Sequence, residues 1–483
     1  MRLIITSLCL LFAVGCRDAG ESPAETPARV APDRKAKHLL LVTIDTLRAD
    51  HLGTFGGRAN VSPAIDRLAS EGALFERCHA PMGMTLACMT AMFTSKYPDE
   101  TGVRSNLHAL RDDEFTLAER LKGAGFRCRG FTANGVLQPG KSGIDQGLDE
   151  HRRIEDEGWL THLAAKILME DFGGAAAERD FLWVHYMDPH QPYQRREPYA
   201  TEFDPDYTGE IDAEEETLQR IFIDKVELTP RDLAHIEAVY DSQVRRIDQY
   251  VNALLGALDK AGRAEDTLVV LSVDHGEDLY QHNRYFYHAN SLYGSVTHVP
   301  LIFRQPGAIP SGVRVGDLVE LVDVLPTTVA HLGLDPTDGG RSNRPRGIDL
   351  GDAINGAPVE KSFVHAQLAD QAYAIRNDRW FYVSNPRGFM PRSIPAEGEY
   401  FVGKRELFDT AADPDEQRNV ISEHPDVAGK MAAALDRWRA SLVTAETAEQ
   451  DLTDEDRAKL EEMGYLAGGK KKPPPKKDEE SGD

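Results

Sequence analysis

Two apolar runs of the chain each end in an acidic residue. Residues 38–45 read HLLLVTID and close on Asp45, and residues 267–274 read TLVVLSVD and close on Asp274. A continuous apolar run that ends in an acid is typical of a buried parallel strand with a side chain at its carboxyl edge. A carboxylate there is costly to desolvate unless it is paired or binds a cation. The two acids suggest a cation site, although each is also compatible with a turn or capping aspartate.

A histidine directly follows the second acid, in the order Asp274-His275-Gly276. Adjacent aspartate and histidine side chains reach one metal ion only if the backbone turns sharply, which a glycine permits. The alternative is an ordinary corner between a strand and a loop. The Asp274-His275 pair therefore supports a metal site only in combination with Asp45.

Residues 185–193 (HYMDPHQPY) combine histidine with two prolines. The prolines restrict the backbone, so that His190 is presented from a rigid turn. A histidine in such a position can donate a hydrogen bond to an anionic oxygen. The alternative is a structural loop without a chemical role.

Residues 84–98 (MTLACMTAMFTSKYP) have helical periodicity, because Met84, Cys88 and Met92 recur at four-residue spacing. Thr85 falls in the first turn of this predicted helix. The free N–H groups and the dipole at a helix N-terminus favour anions and developing oxyanions. Thr85 is therefore a candidate for chemistry, and the plain alternative is that it is the N-cap.

The elements that must position these side chains alternate between strands and helices. Besides the two apolar runs, strands are predicted at 126–133, 181–186 and 299–303, and helices at 62–72, at 115–121 and from 229 onward. Alternation over about 300 residues is typical of a doubly wound sheet, whose ligands bind beyond the carboxyl ends of the strands. The predicted fold class is α/β, with a doubly wound, mostly parallel central sheet.

The pattern of predicted strands and helices changes after about residue 355. Strands are predicted at 363–366 and 373–383 and a helix at 425–442, which together indicate a smaller C-terminal α+β subdomain. The predicted organisation is a signal peptide at 1–16, a flexible tether at 17–37, a catalytic domain at 38–355, the C-terminal subdomain at 356–466 and a disordered tail at 467–483.

The N-terminus begins with Met1-Arg2, an apolar run to Val14, and Gly15-Cys16. This order is typical of a secretory signal, and the run is too short to span a bilayer comfortably. Residues 13–16 resemble a bacterial lipobox, which implies cleavage before Cys16 and lipidation of its sulfur; the alternative is a plain signal peptide. We expect an exported protein of the cell envelope that is lipid-anchored to a bacterial membrane.

The chain of 483 residues has 55 basic and 79 acidic residues, for a formal net charge of −24. So acidic a surface argues against nucleic-acid binding. An anionic substrate would need a locally positive site, which a bound cation provides. The cysteines beyond the signal (Cys78, Cys88 and Cys128) form neither a disulfide framework nor a CxxC metal motif.

Taken in order, these segments resemble the sulfatase branch of the alkaline phosphatase superfamily, from about residue 38 to 466. Each segment alone is modest, and their order makes the resemblance specific. The matching segments are IDTLRADHLG (44–53), residues 85–98, GVRSN (102–106), HYMDPHQPY (185–193), VDHGE (273–277), HANSLYGSVTHVPLIF (288–303), GDLVELVDVLPTTVAHLGL (316–334) and ELFDTAADPDEQRNV (406–420).

The resemblance implies an alkaline-phosphatase-like fold with one divalent cation. The implied ligands are Asp45, Asp274 and His275, with Thr85 at the nucleophile position, which also contacts the metal. Oxygen-rich ligands with one histidine favour calcium, with manganese or zinc as alternatives. Thr46 stands where typical arylsulfatases have a second metal-binding aspartate. Asp188 and His282 are spare candidates for a second metal.

The resemblance also implies a substrate site beside the cation. His190 and His288 fall on catalytic groups that bind the anionic oxygens of the substrate. Asn106 falls on an asparagine that contacts the ester group in phosphonate-ester-hydrolysing relatives. The implied substrate is a sulfated or phosphorylated small molecule or glycan.

The nucleophile motif departs from the family pattern. Typical sulfatases have Cys-x-Pro-Ser-Arg and oxidise the cysteine to formylglycine, whereas this chain has Thr85-Leu-Ala-Cys88-Met89. Threonine cannot become formylglycine, Cys88 lies three positions late, and Met89 replaces the supporting arginine. No formylglycine is expected. A threonine hydroxyl that binds a divalent cation can still attack phosphorus, and phosphoethanolamine transferases and nucleotide pyrophosphatases resemble this case.

Three functions are compatible with these residues. The first is a sulfuric ester hydrolase of the sulfatase type with Thr85 at the nucleophile position. The second is a phosphodiester or phosphonate hydrolase, or a phosphoryl-group transferase, that uses Thr85 directly. The third is a non-catalytic protein that binds anionic envelope or glycan groups.

Overall fold

The computed structural model describes residues 35–462, except 175–176, 194–198, 200–201, 215–216, 219, 222–225, 284–285, 287, 290, 339, 341–342, 370 and 387–403. The predictions for the signal peptide, Cys16, most of the tether and the C-terminal tail lie outside the described residues. Within the described part, none of the helices combines the length and the apolar character that crossing a membrane requires.

The strands of the described chain fall into a large sheet, a small sheet and a two-stranded ribbon. They are β1 (His38–Ile44), β2 (Ala73–His79), β3 (His108–Ala109), β4 (Phe126–Thr132), β5 (Glu150–Arg153), β6 (Arg179–Tyr186), β7 (Thr267–Val273), β8 (His298–Arg304), β9 (Val313–Glu320), β10 (Val364–Leu368), β11 (Ala372–Arg376), β12 (Trp380–Ser384), β13 (Arg405–Asp409) and β14 (Ala448–Glu449).

Helices of the described chain contact strands of both the large and the small sheet. They include α1 (Pro63–Ser70), α2 (Thr85–Thr94), α3 (Pro98–Thr101), α4 (Leu117–Gly123), α5 (Glu157–Glu170), α6 (Pro230–Lys260), α7 (Gly294–Thr297), α8 (Val324–His331), α9 (Gly351–Ile354), α10 (Pro425–Ser441) and α11 (Asp454–Glu462).

The large sheet has the strand order β5-β4-β6-β1-β7-β8-β2-β9. Its pairings are parallel except where β8 runs antiparallel to β7 and β2. Every residue of the central strands β1 and β7 is buried, as expected for apolar strands covered on both faces. The predicted α/β class with a mostly parallel central sheet is confirmed.

The sequence missed the two strands at one side of this sheet, β2 and β9. Glu76 and Arg77 interrupt the apolar pattern of β2 at a register shift, and β9 is an edge strand with exposed polar residues. Tertiary pairing therefore decides these strands rather than a recognisable local pattern.

The pattern Ser62-Pro63 predicts the start of α1 correctly, although the Ser62 side chain does not cap the helix. The pattern Ser62-Pro63 predicts Ser62 as the N-cap, and the helix does begin at Pro63. The Ser62 hydroxyl, however, donates to Asp66 at 3.0 Å. The first free N–H groups of α1 are instead satisfied across space by Asp248 of α6, which accepts from Ala64 and Ile65 at 2.8 Å.

The C-terminal part forms the antiparallel sheet β10-β11-β12-β13. The helix α10 packs on one face of this sheet through Met431 and Leu435. This agrees with the predicted α+β character, while the predicted domain boundaries remain predictions. Beyond α10, the short strand β14 returns and pairs with β3, and Gln450 donates to the carbonyl of Asn106 at 3.0 Å.

Candidate active site

The acidic ends of two neighbouring strands meet at the carboxyl edge of the large sheet. Because β1 pairs in parallel with β7, with Ile44 opposite Val273, the next residues, Asp45 and Asp274, lie side by side. His275 follows on the same edge, and one ligand atom from each of these three residues lies within 4.8 Å of the others. We call Asp45, Asp274 and His275 the Asp45 cluster.

A strained turn after β1 sets the direction of Asp45. Thr46 has a φ of 50°, a left-handed conformation that is rare for a β-branched residue. Its N–H donates to Asp274 Oδ1 at 3.2 Å, and its carbonyl accepts from the hydroxyl of Tyr240 at 2.7 Å. The long helix α6, which carries Tyr240, thus holds the turn at the Asp45 cluster.

His275 is held in the orientation of a metal ligand. Its Nδ1–H donates to the carbonyl of Gly276 at 2.9 Å, and this bond leaves the Nε2 lone pair for another partner. Nε2 lies 3.6 Å from Asp274 Oδ2 and 4.0 Å from Asp45 Oδ1. Glycine is required at position 276, because a Cβ there would lie 2.1 Å from the carbonyl oxygen of Ser295.

The geometry of the Asp45 cluster fits a divalent cation. Asp45 Oδ1, Asp274 Oδ2 and His275 Nε2 are buried and have no hydrogen-bond partner among the described residues. Buried acceptors without donors are costly in an apolar environment, whereas a cation bonds carboxylate oxygen and imidazole nitrogen at about 2–2.6 Å. The donor set of two carboxylates and one imidazole therefore suits a bound metal ion.

The pKa shifts of the two carboxylates also favour a bound cation. Burial raises the pKa of Asp274 to about 6, and the neighbouring charge of Asp45 adds to this effect. Burial also raises the pKa of Asp45, despite the opposing influence of His190 and His275. Both carboxylates thus lack enough positive charge to compensate their burial, and a cation would supply it.

Thr85 is the first residue of α2 and is fully buried. Its Oγ1 lies 3.5 Å from Asp45 Oδ2, which places the hydroxyl beside the Asp45 cluster. The N-cap position belongs to Met84, so the alternative of Thr85 as the N-cap is wrong. Cys88 on the same helix is also buried, and its thiol donates to the carbonyl of Met82 at 2.8 Å.

Asn106 reaches the start of the same helix. Its side-chain oxygen accepts from the N–H of Leu86 at 3.1 Å, one of the N–H groups that a helix start leaves free. This contact was not predicted, because Asn106 lies on a loop 20 residues after Leu86 and no local pattern joins them. The prediction that Asn106 contacts the ester group remains a prediction.

The two histidines predicted to bind substrate lie against the cluster. The rings of His190 and His288 are 4.9 Å apart, and the ring of His288 is 4.6 Å from that of His275. Burial lowers the pKa of both His190 and His288. His288 Nδ1 lies 3.2 Å from Glu277 Oε1, and Tyr193 donates to the other oxygen of Glu277 at 2.9 Å.

Sequence reasoning missed three partners of these groups. Asn134, which follows β4, donates a short hydrogen bond to Asp45 Oδ2. His185 of β6 has its Nε2 3.6 Å from the same oxygen and its Nδ1 bonded to Thr43 at 2.9 Å. Glu277 supports His288. All three residues lie at the end of, or shortly after, a strand that the sequence predicts. Only the folded structure, however, brings them to their partners.

Two spare candidates for a second metal have other partners. The carboxylate of Asp188 pairs with Arg246. His282 Nε2 bonds to the carbonyl of Glu416 at 2.9 Å, and its ring stacks on Tyr293. Neither joins the atoms of the Asp45 cluster.

A doubly wound α/β sheet with a possible cation site at its carboxyl edge and a hydroxyl at a buried helix start is the arrangement expected of the alkaline phosphatase-like fold. The family model described as Sulfatase matches residues 37–334, more than half of the chain. The chain therefore belongs to the sulfatase family, which confirms the resemblance seen in the sequence.

Individual relatives are distant. The chain is 26% identical over 223 residues to arylsulfatase K of Bos taurus, covering 44% of this chain and 38% of the relative. It is 22% identical over 520 residues to an ulvan-active sulfatase of Formosa agariphila, covering 91% and 81%. The chain thus spans about two fifths of the arylsulfatase K that it matches.

A solved phosphonate monoester hydrolase of Agrobacterium radiobacter has the same fold. Its TM-score is 0.67 at 20% sequence identity, and the match covers 84% of this chain and 95% of that chain. At this identity, the likeness supports the fold alone. The region matched by the family model includes Asp45, Asp274 and His275, which could hold a metal ion.

Proposed function

We propose that the protein hydrolyses a sulfate ester or a related anionic ester, with Thr85 as the nucleophile. The observation that carries this proposal is the Thr85 hydroxyl at 3.5 Å from Asp45, beside three buried ligand atoms that have no hydrogen-bond partner in the described part of the chain. Asp45, Asp274 and His275 would hold one divalent cation, with calcium favoured by the two carboxylates. When bound, the cation would act as a Lewis acid that lowers the proton affinity of a hydroxyl and stabilises negative charge.

The residues around the cluster provide the remaining functions. Thr85 attacks the sulfur or phosphorus, so that a bond from Oγ1 forms and the bond to the leaving alcohol breaks. The hydroxyl proton passes to solvent or to a nearby base, and the leaving oxygen takes up a proton from an acid. Water then hydrolyses the ester on Thr85 and regenerates the hydroxyl.

His190 and His288 would bind the non-bridging oxygens of the ester group. An anion beside a histidine favours its protonated form, which would oppose the lowering of the pKa of His190 and His288 by burial. Asn106 would contact the same group from the start of α2. The free N–H groups there also favour an anion.

Phosphodiester or phosphonate ester hydrolysis is the second candidate function. The specific observation in its favour is the residue type at position 85, because a threonine hydroxyl lacks the hydrate chemistry of formylglycine. A phosphonate monoester hydrolase is among the solved structures that share the fold. Phosphoryl transfer to an acceptor other than water would use the same first step.

Exported location and lipid anchoring through Cys16 complete the proposal. They rest on the basic residue, the apolar run and the small residues before Cys16. The sulfated or phosphorylated substrate would then be a small molecule or glycan met in the cell envelope. The ulvan-active sulfatase among the relatives makes sulfated glycans the first class to test.

A substrate panel tests the proposal. Purified protein with calcium, manganese or zinc is assayed on aryl sulfate, sulfated oligosaccharide, phosphate monoester, phosphate diester and phosphonate ester. We expect turnover of at least one class and a loss of at least about a hundredfold in Thr85→Ala, because the nucleophile is removed. Thr94→Ala is the matched control, since Thr94 is also buried in α2 and bonds only to a helix carbonyl in the described contacts.

The outcomes separate the three functions. Turnover of sulfate esters supports the first, and turnover of phosphorus esters alone supports the second. Equal turnover in Thr85→Ala removes Thr85 from the mechanism. No turnover anywhere, together with binding of an anionic glycan, supports a non-catalytic binding protein.

A further inference from the structure

One buried carboxylate anchors the loop that carries His190. Glu157, the first residue of α5, accepts through Oε1 from the backbone N–H groups of Met187 at 2.7 Å and Asp188 at 2.9 Å. These are the first two residues after β6. A carboxylate that accepts consecutive backbone N–H groups fixes the direction in which the chain leaves the strand.

Arg246 of α6 holds that carboxylate from the other side. It donates to Glu157 Oε2 at 2.6 Å and also to the carboxylate of Asp188. The side chains of Arg246 and Glu157 are only 6% and 4% exposed. One guanidinium therefore ties together the start of α5, the middle of α6 and the loop after β6.

The anchored loop leads directly to the candidate active site. The carbonyl of Met187, whose N–H is bound by Glu157, accepts from the N–H of His190 at 3.0 Å. His190 also donates through Nδ1 to the carbonyl of Gln191. The ring held in this way lies 4.9 Å from the ring of His288. Hydrogen bonds through Glu157 and the backbone of Met187 thus connect Arg246 to the backbone N–H of His190, the residue that carries the imidazole.

We propose that Glu157 and Arg246 are positioning residues that set the His190 imidazole for the substrate's anionic group. The inference rests on the proposed function, since it assigns the purpose of a contact at that site. A buried ion pair is seldom better for stability than apolar residues of similar volume. Orientation is a function that the pair can serve, because displacement of a binding group by about 1 Å can cost a hundredfold in rate.

The test begins with Glu157→Gln. The amide oxygen can still accept from the two loop N–H groups, whereas the amide nitrogen faces Arg246 and breaks the ion pair. We expect kcat/KM on the best substrate to fall about 10–100-fold, mostly in kcat. Arg246→Lys, which keeps the charge and loses the planar guanidinium that donates to both Glu157 and Asp188, should show a smaller loss of the same kind.

Asp180→Asn is the matched control. Asp180 lies on β6, the strand that precedes the anchored loop, at the end of the strand away from that loop. It is a buried carboxylate that pairs with two arginines, Arg127 and Arg129. It also accepts a backbone N–H, from Gly173 at 2.7 Å. The control should lose stability without the selective loss of kcat.

A double-mutant cycle with His190→Ala gives the decisive comparison. If Glu157 acts through His190, then Glu157→Gln should have less than about a twofold effect in the His190→Ala background. Independent, multiplicative losses would overturn the inference, and so would an unchanged kcat in Glu157→Gln.

The same double-mutant cycle can be measured without turnover, as the binding of inorganic sulfate in the presence of calcium by calorimetry. An inactive wild-type protein would overturn the proposed hydrolysis, and the sulfate cycle would still decide the role of Glu157. The expected result is that Glu157→Gln weakens sulfate binding in wild type and has no effect in His190→Ala. Equal weakening in both backgrounds, or a wild type that binds no sulfate, overturns the inference.

Discussion

Two buried clusters of this protein contain similar side chains but differ in how their negative charges are compensated. The Asp45 cluster contains two carboxylates and a histidine. A second group, which we call the Lys361 cluster, contains Glu320, Asp323, His365 and Lys361. Lys361 donates to Glu320 at 2.8 Å and to Asp323 at 2.7 Å, so its ammonium group provides the positive charge.

The pKa values follow this difference. Burial alone would raise the pKa of Glu320, but Lys361 and His365 bring it down to about 2. The pKa of Asp274, by contrast, is raised to about 6. Burial raises the pKa of Asp323 despite Lys361, because Glu320 is also adjacent. The Lys361 cluster thus contains its own cationic side chain, whereas the Asp45 cluster is a possible site for a metal ion.

The largest effect is expected for Lys361→Met. Removal of the ammonium group leaves two buried carboxylates without compensation, so unfolding free energy should fall by about 3–5 kcal/mol. Urea denaturation at neutral pH measures this. Lys122→Met is the control, because Lys122 pairs with Asp149 at an exposed site and should change stability by less than about 1 kcal/mol. An unchanged urea midpoint for Lys361→Met would contradict the comparison.

Asp274→Asn should behave in the opposite way. The amide oxygen can keep both N–H contacts of Oδ1, from Thr46 and His275, while one buried charge disappears. In chelator, the variant should be at least as stable as the wild type. With calcium at about 100 times its dissociation constant, the wild type should gain about 2.7 kcal/mol and the variant almost nothing.

Asp248→Asn is the control for this experiment, because Asp248 is another buried carboxylate that accepts two backbone N–H groups. It should retain the full stabilisation by calcium. A calcium-dependent gain in Asp274→Asn equal to that of the wild type would remove Asp274 from the cation site.

Asp274 and Glu320, one carboxylate from each cluster, should respond to pH with opposite signs. The folded-state pKa of Asp274 lies near 6, above its ordinary value of 3.8, so in chelator its contribution to stability falls as pH rises through this window. The pKa of Glu320 lies near 2, below its ordinary value of 4.5, so its contribution is lost as pH falls through that window.

Calcium binding must displace the proton on Asp274, so the rise in Tm on adding calcium should grow by a few degrees between about pH 5 and pH 7. Thermal melts with chelator or calcium across this range provide the measurement. A calcium-dependent rise in Tm that is the same at both ends of the range would show that Asp274 does not titrate there.

The smallest effect is expected for Thr46→Asp. The substitution adds a carboxylate at the Asp45 cluster, where Thr46 is buried and its hydroxyl has no partner in the described structure. We expect calcium to bind about tenfold more tightly, and aspartate tolerates the φ of 50° better than threonine does. Thr46→Asn is the control for shape, and equal calcium affinity in the two variants would refute the electrostatic explanation.

The sequence predicted the large sheet because β1 and β7 are continuous apolar runs with acids at their ends. It could not predict β2 and β9, whose polar residues depend on pairing in space. The segments bearing Asp45, Thr85 and His190 were recognisable from residue type and position. Asn134 and Glu157 were not, because their contacts join residues that are distant in sequence and follow no local pattern.

The pairing of β14 with β3 has a consequence for the order of folding. Arg104 donates to the carbonyl of Ala445 at 2.9 Å, and Gln450 binds the carbonyl of Asn106. Contacts between residues more than 300 positions apart form late, because closing a long loop costs entropy before the contact can form. The Asn106 loop therefore completes these contacts only when residues up to Gln450 are free to fold against it.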